Sequence, residues 1–241
     1  MNDRPRGPGA LLARLVVPVE CPGCRAPDVR WCEACEAPWW EPPLRCESGA
    51  PRLSAVEPPL AVWSIAPLDG AAHGAIAAWK DSGRRDLVAL LAPAMERAAH
   101  ALAPALGAAI PAVAVVPCPA RAAHTRRRGV DVPTVLARAA AAGLARGGLT
   151  AGVRPALVPA RGSSRGAGDR GRWRAGPPRA TRAAWRDPRP VAALLVDDVL
   201  TTGATLARAM QALEGSPLVP IGALVLASAE GPGQGPVVRR A

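Results

Sequence analysis

Apolar residues fall into short runs separated by polar, Gly-rich and Pro-rich stretches. Residues 191–196 read Val-Ala-Ala-Leu-Leu-Val and end at two aspartates. A continuous apolar run of this kind suits a central strand buried on both faces, because a strand with one wet face would alternate. Residues 61–65, 112–116 and 219–227 read as further strands, and 156–158 as a brief one. Helical spacing appears over 71–80 and 84–106, broken by Asp81-Ser82-Gly83, with Pro93 expected to split or kink the second helix. Residues 133–144 read as a helix with Pro133 in its first turn, and 204–213 as a helix closed by Glu214-Gly215. Strands alternating with helices predict an α/β fold with a mostly parallel sheet flanked by helices.

Three stretches lack such a period. Residues 39–57 are rich in Pro and charge and read as a linker. Residues 161–189 are dominated by Arg, Gly and Pro and read as a mobile loop. Residues 231–241 read as a disordered tail. The expected organisation is an N-terminal cysteine-bearing segment (1–45), a linker (46–60), an α/β domain (61–230) and the tail.

Five of the six cysteines lie between Cys21 and Cys46, and four of them form the pairs Cys21-Pro-Gly-Cys24 and Cys32-Glu-Ala-Cys35. Each C-x-x-C pair lets two thiolates reach one ion. Two pairs complete the tetrahedral four-sulfur shell that zinc favours in structural sites. A small zinc knuckle or ribbon is predicted, folded largely by its metal. Four cysteine ligands leave no open position, which argues against a catalytic zinc. His73, His100 and His124 stand alone and lie at no ligand spacing to the cysteines.

Apolar residues make up 49% of the 241, enough for a core, but Phe and Tyr are absent, so Leu, Val, Ala and seven Trp must fill it. The formal charge of +11 suits a polyanionic partner, although an Arg-rich composition accounts for it equally well. Lys80 is the only lysine. Arg and Lys are not equivalent at a tight site, so a lone Lys among many Arg is a candidate phosphate or pyrophosphate contact. No stretch is long and apolar enough to span a bilayer. The run 11–19 carries Arg14 and lacks a small-residue cleavage site, so a cytoplasmic location with reduced thiols is expected.

The segment with most chemistry follows the 191–196 run: Asp197-Asp198-Val199-Leu200-Thr201-Thr202-Gly203-Ala204-Thr205. Open α/β sheets place ligands at the carboxyl ends of their strands. A helix N-terminus there offers unpaired N–H groups to an anion. Thr201, Thr202 and Thr205 add hydroxyl donors, and Gly203 permits close backbone approach. The carboxylates would accept hydrogen bonds from sugar hydroxyls or hold Mg²⁺. An acidic helix cap would explain one Asp or one Thr, but not two Asp and three Thr around a Gly. Phosphate and diol together describe a ribose 5-phosphate.

Residues 196–205 resemble the phosphoribosyl-pyrophosphate (PRPP) signature of type I phosphoribosyltransferases. The whole chain resembles the ComF family, which joins an N-terminal zinc module to a phosphoribosyltransferase-type domain and is linked to DNA uptake. The resemblance implies that Asp197 and Asp198 hold the ribose hydroxyls and that residues 201–205, Ala204 included, hold the 5-phosphate. It implies Mg²⁺ with PRPP, a structural Zn²⁺ and an unknown acceptor. Trp79-Lys80 with Gly83-Arg84-Arg85 resembles the family's Lys-x-x-Gly-Arg segment. Pro117-Cys118-Pro119 matches its pyrophosphate-loop position, and Arg128-Gly129 followed by Asp131 resembles its Arg-Gly motif. Pyrophosphate candidates are therefore Lys80, Arg84, Pro117, Cys118, Pro119 and Arg121. In the 161–189 loop the family's polar pair, Arg and Asn are replaced by Arg161-Gly162, Arg170 and Trp173. Arg165, Arg170 and Trp173 are the candidates in that loop for closing over the site. A phosphoribosyltransferase and a non-catalytic protein both remain open. The second would sense PRPP or a nucleotide, or bind single-stranded DNA among DNA-processing partners, with Trp173 as a stacking platform.

Overall fold

The computed structural model describes residues 19–54, 56–107, 110, 112–119, 131–159 and 177–229. Its strands are β1 (Leu44–Arg45), β2 (Val62–Pro67), β3 (Ala112–Pro117), β4 (Thr150–Val153), β5 (Leu157–Val158), β6 (Arg179–Ala180), β7 (Val191–Leu200) and β8 (Leu218–Ser228). Its helices are α1 (Glu33–Glu36), α2 (Gly70–Asp81), α3 (Val88–Gly107), α4 (Val132–Arg146) and α5 (Ala204–Leu213). Six strands form one sheet in the order β1-β2-β8-β7-β3-β4, and β5 pairs with β6 separately. Only the β1–β2 pairing in the large sheet is antiparallel. The α/β class and the mostly parallel, helix-flanked sheet therefore match the pattern of the chain.

The inner strands of the sheet are buried on both faces, and strand alternation decides what each face touches. Val113, Val115, Leu194, Val196, Leu224 and Leu226 pack with α2, α3 and α4. Ala114, Val116, Ala193, Leu195, Ala223 and Val225 pack with α5 on the other side. Small residues let the helices sit close, which is how a core without Phe or Tyr closes up. Pro93 and Pro104 both lie inside α3 and do not end it. Burial of Leu91, Ala94, Met95, Ala98, Leu102 and Leu106 on one stripe holds the helix through the missing donors.

Several boundaries differ from the sequence pattern. β7 runs four residues beyond 196, so both aspartates belong to the ladder, with Asp197 opposite Val225. β8 keeps Leu224, Val225 and Ala227 beside this extension, and that pairing outweighs the polar side chains. The stretch expected as a linker, 46–60, is packed instead. Cys46, Ala50, Leu53 and Leu60 are buried in the α5-side core. The Cys46 N–H donates to the Val62 carbonyl (3.0 Å), and the Glu47 carboxylate accepts from the Val62 N–H (3.1 Å). Trp39, at the start of the 39–57 stretch read as linker-like, is fully buried against the opposite core. The few apolar residues among the Pro and charged residues are spaced to reach the sheet, which composition alone conceals. Residues 177–189 of the expected loop carry β6 and a 3-10 turn, Arg182–Trp185. The tail lies outside the described residues.

One topological feature positions a site. From β3 the chain crosses through α4 to β4, on one side. From β7 it crosses through α5 to β8, on the other. The adjacent strands β3 and β7 thus send their crossovers apart, so their carboxyl ends form a topological switch point, the place where open α/β sheets have their ligand-binding crevice. Among the described residues no helix is long and apolar enough to cross a membrane.

Candidate functional site

Pro117-Cys118-Pro119 from β3 and Asp197-Asp198 from β7 meet at that crevice, tied by the Cys118 N–H donating to the Val196 carbonyl (2.8 Å). The two aspartates are neighbours in a strand, so their side chains leave on opposite faces. Asp198 shares its face with α2, and its Oδ2 forms an ion pair with Nζ of Lys80 in the last turn of α2. Asp197 lies on the α5 side and is only 8% exposed. Its Oδ1 accepts from the Asp198 N–H at 2.8 Å.

These surroundings set the charges. Burial first, and then the neighbouring Asp198 carboxylate, push Asp197 up to about 8, against the opposing pull of Lys80. At neutral pH Asp197 is mostly a neutral acid. Burial likewise raises the Cys118 thiol well above its usual range, with Asp197 and Asp198 adding to it, so this thiol is not a nucleophile. Cys118 and Pro117 are buried and contribute backbone and packing to the crevice wall, with Pro119 at its half-exposed lip.

Beyond Leu200 the chain turns through Thr201-Thr202-Gly203 into α5. Gly203 has φ +76° and ends the turn, and α5 begins at Ala204 with no side-chain cap. The first intrahelical bond runs from the Ala207 N–H to the Gly203 carbonyl (3.0 Å). The N–H groups of Ala204, Thr205 and Leu206 therefore have no helical acceptor. Thr201, Thr202 and Thr205 are exposed at the same end. The result is a cluster of hydroxyl and amide donors beside two aspartate side chains.

A second contribution comes from the 46–60 segment, which sequence reasoning left out of the site. The Arg52 N–H donates to the Thr202 carbonyl (2.9 Å), fixing the threonine turn from outside and leaving the exposed Arg52 side chain beside it.

Not every predicted contact is brought to this crevice. Arg84 uses its guanidinium elsewhere: Nε and Nη2 donate to the Asp86 carboxylate (2.9 and 2.8 Å), Nη1 to the Glu20 carbonyl (3.0 Å) and Nη2 to the Arg30 carbonyl (3.0 Å). A planar fork satisfied in this way acts as a structural clamp. Arg121, Arg165, Arg170 and Trp173 lie outside the described residues.

The four cysteines of the two C-x-x-C pairs do come together. All four sulfur atoms lie within 4.8 Å of one another. Cys21 Sγ stands 3.7 Å and Cys24 Sγ 3.5 Å from Cys32 Sγ. A tetrahedron with zinc–sulfur bonds of about 2.3 Å has edges of about 3.8 Å, so the cluster fits that ion. Burial opposes ionisation of Cys21, but the N–H groups of Cys24, Cys32 and Gly23 outweigh it and hold its thiol at about 7. Four close cysteines in this arrangement could hold a structural zinc.

No protein-family model matches this chain, and no curated protein matches it.

Proposed function

We propose that the crest of β7 and the start of α5 bind a ribose 5-phosphate group, with PRPP as the ligand, in a protein of the ComF kind. One observation carries the reading. A carboxylate pair and a threonine-lined helix N-terminus share the end of a single strand, at the point where the β3 and β7 crossovers diverge. The 5-phosphate would take the free N–H groups of Ala204 to Leu206 and the hydroxyls of Thr201, Thr202 and Thr205. Asp197 and Asp198 would accept from the ribose hydroxyls, and Lys80 would move from Asp198 to the pyrophosphate. Asp197 and Asp198 are the carboxylates that would hold Mg²⁺, which would supply charge neutralisation.

Transfer is the chemistry this arrangement can serve. The bond from the anomeric carbon to pyrophosphate breaks with its electron pair leaving on oxygen, and a nitrogen of the acceptor forms the new bond and loses a proton. Positive charge develops at the sugar, as in glycoside hydrolysis, so holding the leaving charge near Lys80 lowers the barrier. Calorimetric titration with PRPP, with and without Mg²⁺, tests the binding, with Asp197→Ala as control. Release of pyrophosphate in the presence of a nucleobase tests turnover. Absence of PRPP binding by the intact, zinc-loaded chain overturns the reading.

A second reading, a single-stranded DNA surface, draws on a different observation. Trp185 is 51% exposed on the short Arg182–Trp185 turn. Arg179, Arg182, Arg186 and Arg189 are exposed around it. An aromatic among cations is a stacking platform for bases. Affinity for an oligonucleotide that falls steeply with salt and weakens with Trp185→Ala supports this reading, and salt-independent or undetectable binding removes it.

A further inference from the structure

We infer that the four-cysteine knuckle is a working part of the acidic site: it seats α2, and Gly74 and Arg84 are the positioning residues through which it sets where Lys80 stands. The inference takes from the preceding section what the site does, but its geometry stands independently.

Helix α2 touches the knuckle at both ends. At its start, Gly74 lies directly on the first C-x-x-C turn. A Cβ at Gly74 would stand 2.1 Å from the Pro22 carbonyl oxygen and 3.5 Å from the Gly23 Cα. No side chain fits there, so the backbone of the knuckle rests on the backbone of the helix. Just past its end, the Ser82 and Arg84 N–H groups both return to the Ala78 carbonyl (3.2 and 3.1 Å). That turn brings the Arg84 fork to the carbonyls of Glu20 and Arg30. Glu20 immediately precedes Cys21, and Arg30 stands two residues before Cys32. One guanidinium therefore holds the chain entering each ligand pair, and Asp86 keeps the fork in register from below.

Lys80 lies between these two attachments. It is six residues, or about 9 Å of helix, beyond Gly74 and four before Arg84. The other face of α2 is anchored by buried Ile76 and Trp79. Loss of the metal would therefore not release the helix from the sheet. It would remove the common support of the Glu20 and Arg30 carbonyls, free Arg84, and loosen the last turn of α2, where Lys80 meets Asp198. Zinc in this chain then acts on an ion pair that none of its ligands touches.

Because Lys80 is the only lysine, amine acylation reads its pairing directly. The full-length protein is treated with an N-hydroxysuccinimide ester, and labelling of the Lys80 peptide is timed against the N-terminal amine by mass spectrometry. An amine held in an ion pair with its side chain only 20% exposed is shielded from the reagent. The expected result is slow labelling when zinc is bound, a rise of about tenfold after a chelator strips the metal, and return to the slow rate on adding zinc back. Arg84→Ala is expected to raise the rate with zinc still bound. Asp198→Asn is expected to give fast labelling that no longer responds to zinc. Two outcomes overturn the inference: a stripped protein that keeps its far-ultraviolet dichroism yet labels at the loaded rate, or one that unfolds as a whole, which would make the metal a stability element only. Should Arg84→Ala fail to fold, stripping and reloading the wild type decide alone. None of these arms contains PRPP. Protection of Lys80 by added PRPP is a separate arm, so failure of the sugar-phosphate reading is told apart from failure of the coupling.

Discussion

Gly203 stands against Leu53 so closely that a Cβ on the glycine would lie 2.6 Å from Leu53 Cγ and 3.0 Å from the Ala50 Cβ. The threonine turn is thus held on one side by its own strand and helix, and on the other by a segment more than a hundred residues earlier. Its left-handed φ of +76° adds a second demand for glycine.

Gly203→Ala is therefore expected to lower stability by about 2–4 kcal/mol, combining backbone strain with overpacking. Chemical denaturation measures the loss. Adding Leu53→Ala should not restore stability, since it creates its own cavity, but the two losses should be less than additive, because the clash is removed.

Asp197 gives a pH signature. Its folded value of about 8 exceeds the ordinary 3.8, so the folded protein holds a proton that the unfolded chain has lost. Stability should fall as pH rises across that interval, by up to about 1.4 kcal/mol per unit, and level off above it. Asp197→Asn should flatten the slope and be relatively more stable at pH 8. Urea unfolding at four pH values checks this.

If Mg²⁺ or a diol takes the ionised form of Asp197, binding must expel the proton. PRPP affinity with Mg²⁺ should then rise with pH up to about 8 and level off beyond it. The binding heat should vary with the ionisation enthalpy of the buffer. A heat independent of buffer would show that Asp197 stays protonated throughout.

Lys80→Ala should weaken PRPP binding by roughly 10- to 100-fold, the range for one charge-assisted contact. Thr205→Val should cost about tenfold by removing a hydroxyl without changing shape. Titrations at fixed Mg²⁺ separate these from the wild type.

The cysteine cluster should carry one zinc per chain by elemental analysis. Cys32→Ser, at the sulfur 3.7 Å from Cys21 Sγ and 3.5 Å from Cys24 Sγ, should abolish tight binding and lower the thermal midpoint. Retention of stoichiometric zinc by that variant would remove the four-sulfur assignment.

Much of this was legible in the chain because each signal was local. The apolar run 191–196 marked the central strand, and C-x-x-C spacing brought four sulfurs together as expected. What escaped depends on distant partners. Nothing near Arg84 indicates that its fork is filled by carbonyls of Glu20 and Arg30. The Pro and charge of 46–60 hid Ala50 and Leu53, which are buried in the α5-side core and against Gly203. β4, Thr-Ala-Gly-Val, is too short and too Gly-rich to show a period, and forms because β3 offers it an edge. Pro93 was expected to disturb a helix that a long buried stripe holds together.

Because the crossovers after β3 and β7 depart in opposite directions, neither of them roofs the gap that they leave. The base between them is made of the most deeply embedded strands, so a substitution there costs the fold before it alters anything at the rim.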